Sequence, residues 1–122
     1  MYREWSDRVK SFGLADRVEI IQETADISGI LSHCHAAVVL SATSDQVKSY
    51  PNSLMESLAA GRPVLVSRSN PMSYYVEDNG CGKVIEDLCL EELINAILEI
   101  IEDYSTFTKA AYWLDLIYPR FG

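Results

Sequence analysis

Basic charge is scarce in this sequence. Against 18 acidic residues stand 10 Lys and Arg, for a formal net charge of -8 over 122 residues. The basic residues are scattered with no run among them, which argues against an exposed nucleic-acid or anionic-membrane surface, since both need a basic patch. Paired cysteines are lacking too. Cys34, Cys81 and Cys89 are three in number, far apart, and contain no CxxC pair, so neither a zinc site nor a redox motif is indicated and a reducing compartment is expected. No apolar stretch is long enough for a membrane span, and the opening residues Met1 to Ser6 lack the apolar segment of a secretory signal. These absences point to a soluble, cytoplasmic protein without nucleic acid as partner.

What is present is an ordinary globular balance, with 48% hydrophobic and 23% charged residues. The length allows one domain, residues 1–122, around one continuous core. Tyr2, Trp5, Val9 and Phe12 form a helical stripe that Gly13 ends. Arg17 to Ile21 reads as a short β-branched strand, and Asp26 to His33 as a helix. Ala36 to Leu40 is a continuous apolar run, as in a strand buried on both faces of a parallel sheet. A polar loop, Ser41 to Asn52, leads to a helix over Ser53 to Ala60, stopped by Gly61-Arg62, and then to a buried strand over Pro63 to Ser67. Turn chemistry with room for a short helix fills residues 68–82, and Lys83 to Ile85 is a brief strand. Leu90 to Tyr104 is helical, with Leu93, Ile97, Ile100 and Ile101 as its core stripe, and Ser105 can cap a last helix reaching about Tyr118. The alternation implies an α/β fold: a Rossmann-like parallel sheet of about four strands with helices on both faces. Ala36–Leu40 is expected between Pro63–Ser67 and Arg17–Ile21. An unfilled apolar edge would lead to self-association.

The chemistry concentrates around the helix that follows the loop. In an open α/β sheet, ligands collect at the carboxyl edge, where this helix begins. Its unpaired N–H groups at Ser53 and Leu54, with the helix dipole, suit a diphosphate. Glu56 stands where a carboxylate can accept hydrogen bonds from ribose hydroxyls. Ser53-Leu54-Met55-Glu56 also fits a capping box, in which Glu56 serves only to close the helix start. His33, Cys34 and His35 have no distant third partner for a metal. Tyr74 and Tyr75 can line a pocket or pack in the core.

The stretch SYPNSLMESLAAGRPVLVS resembles the donor-binding signature of the group 1 glycosyltransferases, which have the GT-B fold. LADRVEIIQ, ILSHCHAAVVLS and YYVEDNGCGKVIED are similar, in order and spacing, to other segments of that family's C-terminal domain. The resemblance implies part of a retaining glycosyltransferase of polysaccharide biosynthesis, moving a sugar from a nucleoside-diphosphate sugar to a saccharide or lipid-linked acceptor, with no cofactor or metal. Of the family's two glutamates, the ribose-binding one matches Glu56. The first, which contacts the transferred sugar, falls at Lys48, with Asp45 the nearest carboxylate, and a further acid falls near Tyr74. Donor contacts are expected from Lys48, Ser49, Tyr50, Asn52, Ser53, Leu54 and Glu56.

The family's basic first strand and N-terminal acceptor domain have no counterpart ahead of Tyr2. The expectation is therefore a partial domain, inactive alone, whose remainder comes from a missing domain or partner chain and can tether it to the inner membrane face. Two other readings stand beside this one. One is a degenerate or split module that binds the nucleotide sugar without catalysis; the other is a plain doubly wound domain in which Glu56 only caps.

Overall fold

A computed structural model describes residues 2–21, 27–41 and 52–117. In chain order it places α1 (Tyr2–Ser11), α2 (Ile27–Ser32), β1 (Ala37–Val39), α3 (Asn52–Ala59), β2 (Val64–Ser67), α4 (Ser73–Asn79), β3 (Gly82–Ile85), α5 (Leu90–Glu102) and α6 (Tyr104–Ile117). The three strands are parallel in the order β1-β2-β3, with Val38 level with Leu65 and Leu65 level with Lys83. The α/β fold expected from the alternating segments is the one observed.

The apolar run at 63–67 forms a strand because it satisfies two faces at once. All four residues of β2 are buried. Val64 and Val66 face a core with Leu54 and Leu58 of α3 and Met72 and Val76 at α4. Leu65 faces the other way, with Ile85, Ala96 and Ile100. α3 and α4 thus cover one face and α5 the other, while α6 wraps the side of the domain, its Tyr104 and Phe107 against the second core and its Ala111 in the first.

The helix-to-strand turn ahead of β2 is set by Gly61, which takes φ +78°. Gly61 N–H donates to Leu58 O and Arg62 N–H to Ser57 O, the paired bonds of a Schellman ending that close the last carbonyls of α3. Arg62 then reaches back across the fold, its Nε on Leu31 O (3.1 Å) and its Nη2 on Ser32 O (2.9 Å), capping α2.

Several sequence expectations are corrected. Arg17 lies in a turn and residues 18–21 have no regular structure and pair with no strand, so the sheet has three strands among the described residues rather than four. The β-branched composition of the segment favours a strand but supplies no neighbour to complete the ladder. Among the described residues β1 is consequently an edge strand, and Val38, expected to be buried on both faces, is 52% exposed. Asp103, not Ser105, starts the last helix: it closes α5 and accepts the N–H groups of Thr106 and Phe107 and the Thr106 hydroxyl. In α5 the buried positions are Ala96 and Ile100, whereas Ile97 and Ile101 are exposed. Their stripe lies about 100° round the helix from the buried one, beyond the reach of the three-stranded sheet.

Gly82 is required by close approach rather than by turn geometry. A Cβ at this position would collide with the carbonyl oxygen of Val64 in the adjacent strand. Backbone cannot yield as a flexible side chain does, so Gly82→Ala is expected to lower stability by roughly 2–4 kcal/mol, read by urea unfolding. A loss below about 0.5 kcal/mol would show that the β2–β3 contact is looser than described.

Candidate functional site

The carboxyl edge of the sheet is where β1 ends, α3 begins and β2 turns into α4. α3 follows β1 and runs back to β2, so its N-terminal end lies at that edge. The first N–H groups of such a helix, at Asn52 to Met55, have no intrahelical acceptor. Leu54 is fully buried in the core between α3 and the sheet, which holds the helix start in place and leaves its N–H, not its side chain, as the polar group it offers.

α3 spans Asn52–Ala59, which makes Ser53 its second residue and Glu56 its fifth. The Glu56 side chain is half-buried and makes no hydrogen bond or ion pair among the described residues. Asp45, Lys48, Ser49 and Tyr50 lie outside the described residues, and Asn52 and Ser53 are placed as backbone at the start of α3. Of the expected donor contacts, the structure therefore brings Asn52, Ser53, Leu54 and Glu56 together on one helix start.

Two polar arrangements at the same edge were not legible in the sequence. The first is a hydroxyl clasp. Ser41 N–H donates to Ser67 Oγ (2.9 Å), Ser69 Oγ donates to Ser41 O (2.9 Å), and the Ser41 and Ser69 hydroxyls lie 3.0 Å apart. It ties the end of β1 to the end of β2 and lines an open hollow of about 280 Å³ with Arg68, Glu86 and Asp87.

The second centres on Arg68. Its Nε and Nη2 donate to Glu86, Nη2 at 2.6 Å, and Nη2 also donates to Glu77 at 2.6 Å. Tyr74 lies beneath the guanidinium, 4.8 Å from it to the ring centroid. Tyr74 thus serves as a platform for Arg68, while Tyr75 is half-buried against the core between α4 and the sheet. The register of β2 and β3 explains the pair: Ser67 is level with Ile85, so the next residues, Arg68 and Glu86, emerge side by side. On the far side of this junction, the Glu92 carboxylate accepts the N–H groups of Glu86 (2.6 Å) and Asp87 (2.9 Å) and joins α5 to the β3 turn.

His33 is occupied at the end of α2, its Nδ1 near Gly29 O and Ser32 Oγ, and no three His, Cys, Asp or Glu residues converge among the described residues. No helix among them is long and apolar enough to cross a membrane.

The sequence model for glycosyl transferases group 1 matches residues 2–113. The chain belongs to the group 1 glycosyltransferase family. The match runs from α1 into α6, so it takes in the whole three-stranded sheet and the start of α3. No curated protein and no solved structure gives a match. Family and fold agree: the Rossmann-like α/β layer is the one in which α3 starts at the carboxyl edge.

The Arg68 cluster has a pH signature. Hydrogen bonding to Arg68 holds the Glu86 carboxyl below its ordinary range. The folded state then binds that proton less tightly than the unfolded chain, so the stabilisation is complete above the unfolded carboxylate value and fades as pH falls through the lowered folded one. Arg68→Met is expected to lower the urea midpoint at neutral pH, with the gap to the native sequence closing as pH falls below the ordinary carboxylate range. A gap constant with pH would assign the loss to packing on Tyr74 and not to the carboxylates.

Proposed function

We propose that this chain is the donor-binding part of a retaining glycosyltransferase, recognising a nucleoside-diphosphate sugar. In this reading the N–H groups at Ser53 and Leu54 hold the diphosphate, Glu56 accepts hydrogen bonds from the ribose, and Lys48, Ser49, Tyr50 and Asn52 surround the sugar. The carrying observation is Glu56 itself: a half-buried carboxylate without a described partner, one turn behind a helix start at the carboxyl edge. A structural glutamate in a capping box would be engaged with the backbone at the helix start.

Catalysis in such a site is largely positioning and stabilisation of the leaving diphosphate, both of which the helix start can supply. The acceptor, a saccharide or lipid-linked saccharide of a polysaccharide pathway, is then held by a second domain or partner chain. In this reading the protein is cytoplasmic, and a second domain can tether it to the inner face of a membrane.

A second reading rests on Lys48, which stands where a donor site of this family would carry its first acid. It makes the chain a module that binds the nucleotide sugar without transferring it. Transfer of radiolabelled sugar to an acceptor separates the two.

Donor binding itself is tested by calorimetric titration with uridine and guanosine diphosphates. A hydrogen bond to a charged acceptor contributes about 1.5–3 kcal/mol, so Glu56→Ala is expected to weaken binding by roughly 10- to 150-fold. Lys48→Ala should lose less, and nucleosides without the diphosphate should bind more weakly than the diphosphates. Equal affinities for native protein, Glu56→Ala and Lys48→Ala would remove the assignment and leave Glu56 a structural residue.

A further inference from the structure

Residues 68–72 carry the chain from β2 to α4 across the carboxyl edge. Most of their polar groups are engaged. Arg68 N–H donates to Ile85 O, its guanidinium donates to Glu77 and Glu86, and its carbonyl accepts the Ser73 hydroxyl. The Ser69 hydroxyl donates to Ser41 O. Asn70 N–H donates to Ser67 O, and Asn70 O accepts the N–H of Ser73. In the side chain of Asn70, Oδ1 accepts the N–H of Met72 at 2.9 Å and so closes the turn that leads into α4.

One group is left over. Asn70 is 1% exposed, and its Nδ2 is buried with no hydrogen-bond partner among the described residues. The bond from Met72 N–H identifies the oxygen end of the side chain, so the unpaired end is the NH2 group. A buried donor without an acceptor is unfavourable, because it has left water and gained nothing in exchange. Closing the turn takes only the oxygen, which the hydroxyl of a serine also supplies. Within the fold described, the NH2 has no structural task.

Its place in the chain suggests one. Ser69, just before Asn70, is bonded to Ser41 at the end of β1, and Met72, two residues after it, shares a core with Leu54, the third residue of α3. The loop that carries the amide is thus pinned on one side to the end of β1 and on the other to the start of α3.

We propose that the Asn70 side-chain amide donates a hydrogen bond to the diphosphate of the bound nucleotide sugar, beside the N–H groups at the start of α3; this rests on the donor-binding reading above. With Oδ1 committed to Met72, the side chain has only N–H groups to offer. Its complement is an oxygen that can only accept, and a diphosphate presents several of these, each carrying negative charge. Arg68, the cation of the same loop, is already matched by two carboxylates, which leaves the neutral amide as the uncommitted donor. The unliganded chain keeps the amide covered, so the bond belongs to the complex alone. Shielding from bulk water then strengthens it.

The test compares the native chain, Asn70→Ser and Asn70→Asp with uridine diphosphate, guanosine diphosphate and uridine, by calorimetric titration and NMR. Both substitutions keep an oxygen for Met72 N–H and remove the NH2, so urea unfolding should stay close to native. On the native chain, the NMR signals of the Asn70 NH2 are expected to move with the diphosphate that binds and to stay in place with uridine. Asn70→Ser should bind that diphosphate at least about tenfold more weakly, and Asn70→Asp more weakly still through its added charge. Uridine should bind all three alike. Diphosphate affinity unchanged in Asn70→Ser overturns the proposal and leaves the donor site standing. So does an equal loss for uridine and diphosphate, which makes Asn70 structural, or an NH2 signal indifferent to the diphosphate. A native chain that binds neither diphosphate removes the donor-binding reading, and this proposal with it.

Discussion

Burial of β2 on both faces is the constraint to which the other elements conform. Val64 and Val66 require helices on one side, and Leu65 requires one on the other. Fully burying such side chains contributes about 1.5–3 kcal/mol each, enough that neither face can be left to water in a domain whose net stability is of order 10 kcal/mol. A strand covered on both faces must pair at both edges or waste its backbone groups, and β2 alone of the three has a neighbour on each side. The entry to β2 follows from the Schellman turn at Gly61, and the approach of β3 from the missing Cβ of Gly82. With β2 fixed, the right-handed return from β1 through α3 brings the start of α3 to the carboxyl edge.

That edge sorts its polar groups into engaged and available ones. Ser41, Ser67 and Ser69 satisfy one another, and the carboxylate of Glu92 takes the amides of Glu86 and Asp87. Arg68 would be an obvious phosphate anchor by position, but Glu86 and Glu77 already neutralise it, and hydrogen bonds to them drive its pKa still higher. A diphosphate at this edge would have to compete with two carboxylates for that guanidinium. Backbone N–H groups at the start of α3 carry no such competitor among the described residues. The acidic composition of the chain and a role in binding an anionic donor are therefore compatible, because oriented amides and not net charge would do the binding.

Legibility in the sequence followed how local the deciding interaction is. The run at 63–67 was readable because burial on two faces leaves a mark in every residue, and the stop at Gly61-Arg62 because a left-handed turn has its own residue preference. The resemblance in residues 49–67 located the helix start that the structure places at the carboxyl edge. Arg17–Ile21 misled because β-branched composition says nothing of whether a partner strand is at hand. Ser105 looked like a cap by type, yet Asp103 has the position that reaches the N–H groups of Thr106 and Phe107. Arg68 with Glu86 was out of reach, since 18 positions separate them and only the strand register brings them together. The apolar positions of α5 read as one core face, whereas Ala96 and Ile100 are buried and Ile97 and Ile101 beside them are exposed, and periodicity cannot say how much of an apolar stripe a sheet of unknown width will cover.

β1 connects the two halves of the problem. It has a neighbour on one side only among the described residues, and its end leads towards α3. Its pairing with β2 is complete only through Val39; beyond that, the ladder is replaced by Ser41 N–H donating to the Ser67 hydroxyl. A strand of three residues held from one side resists fraying less than one held from both, because each lost bond on the covered side has no second ladder to retain the chain. Whatever pairs with the outward side of β1 therefore also restrains the end of the strand at Ser41.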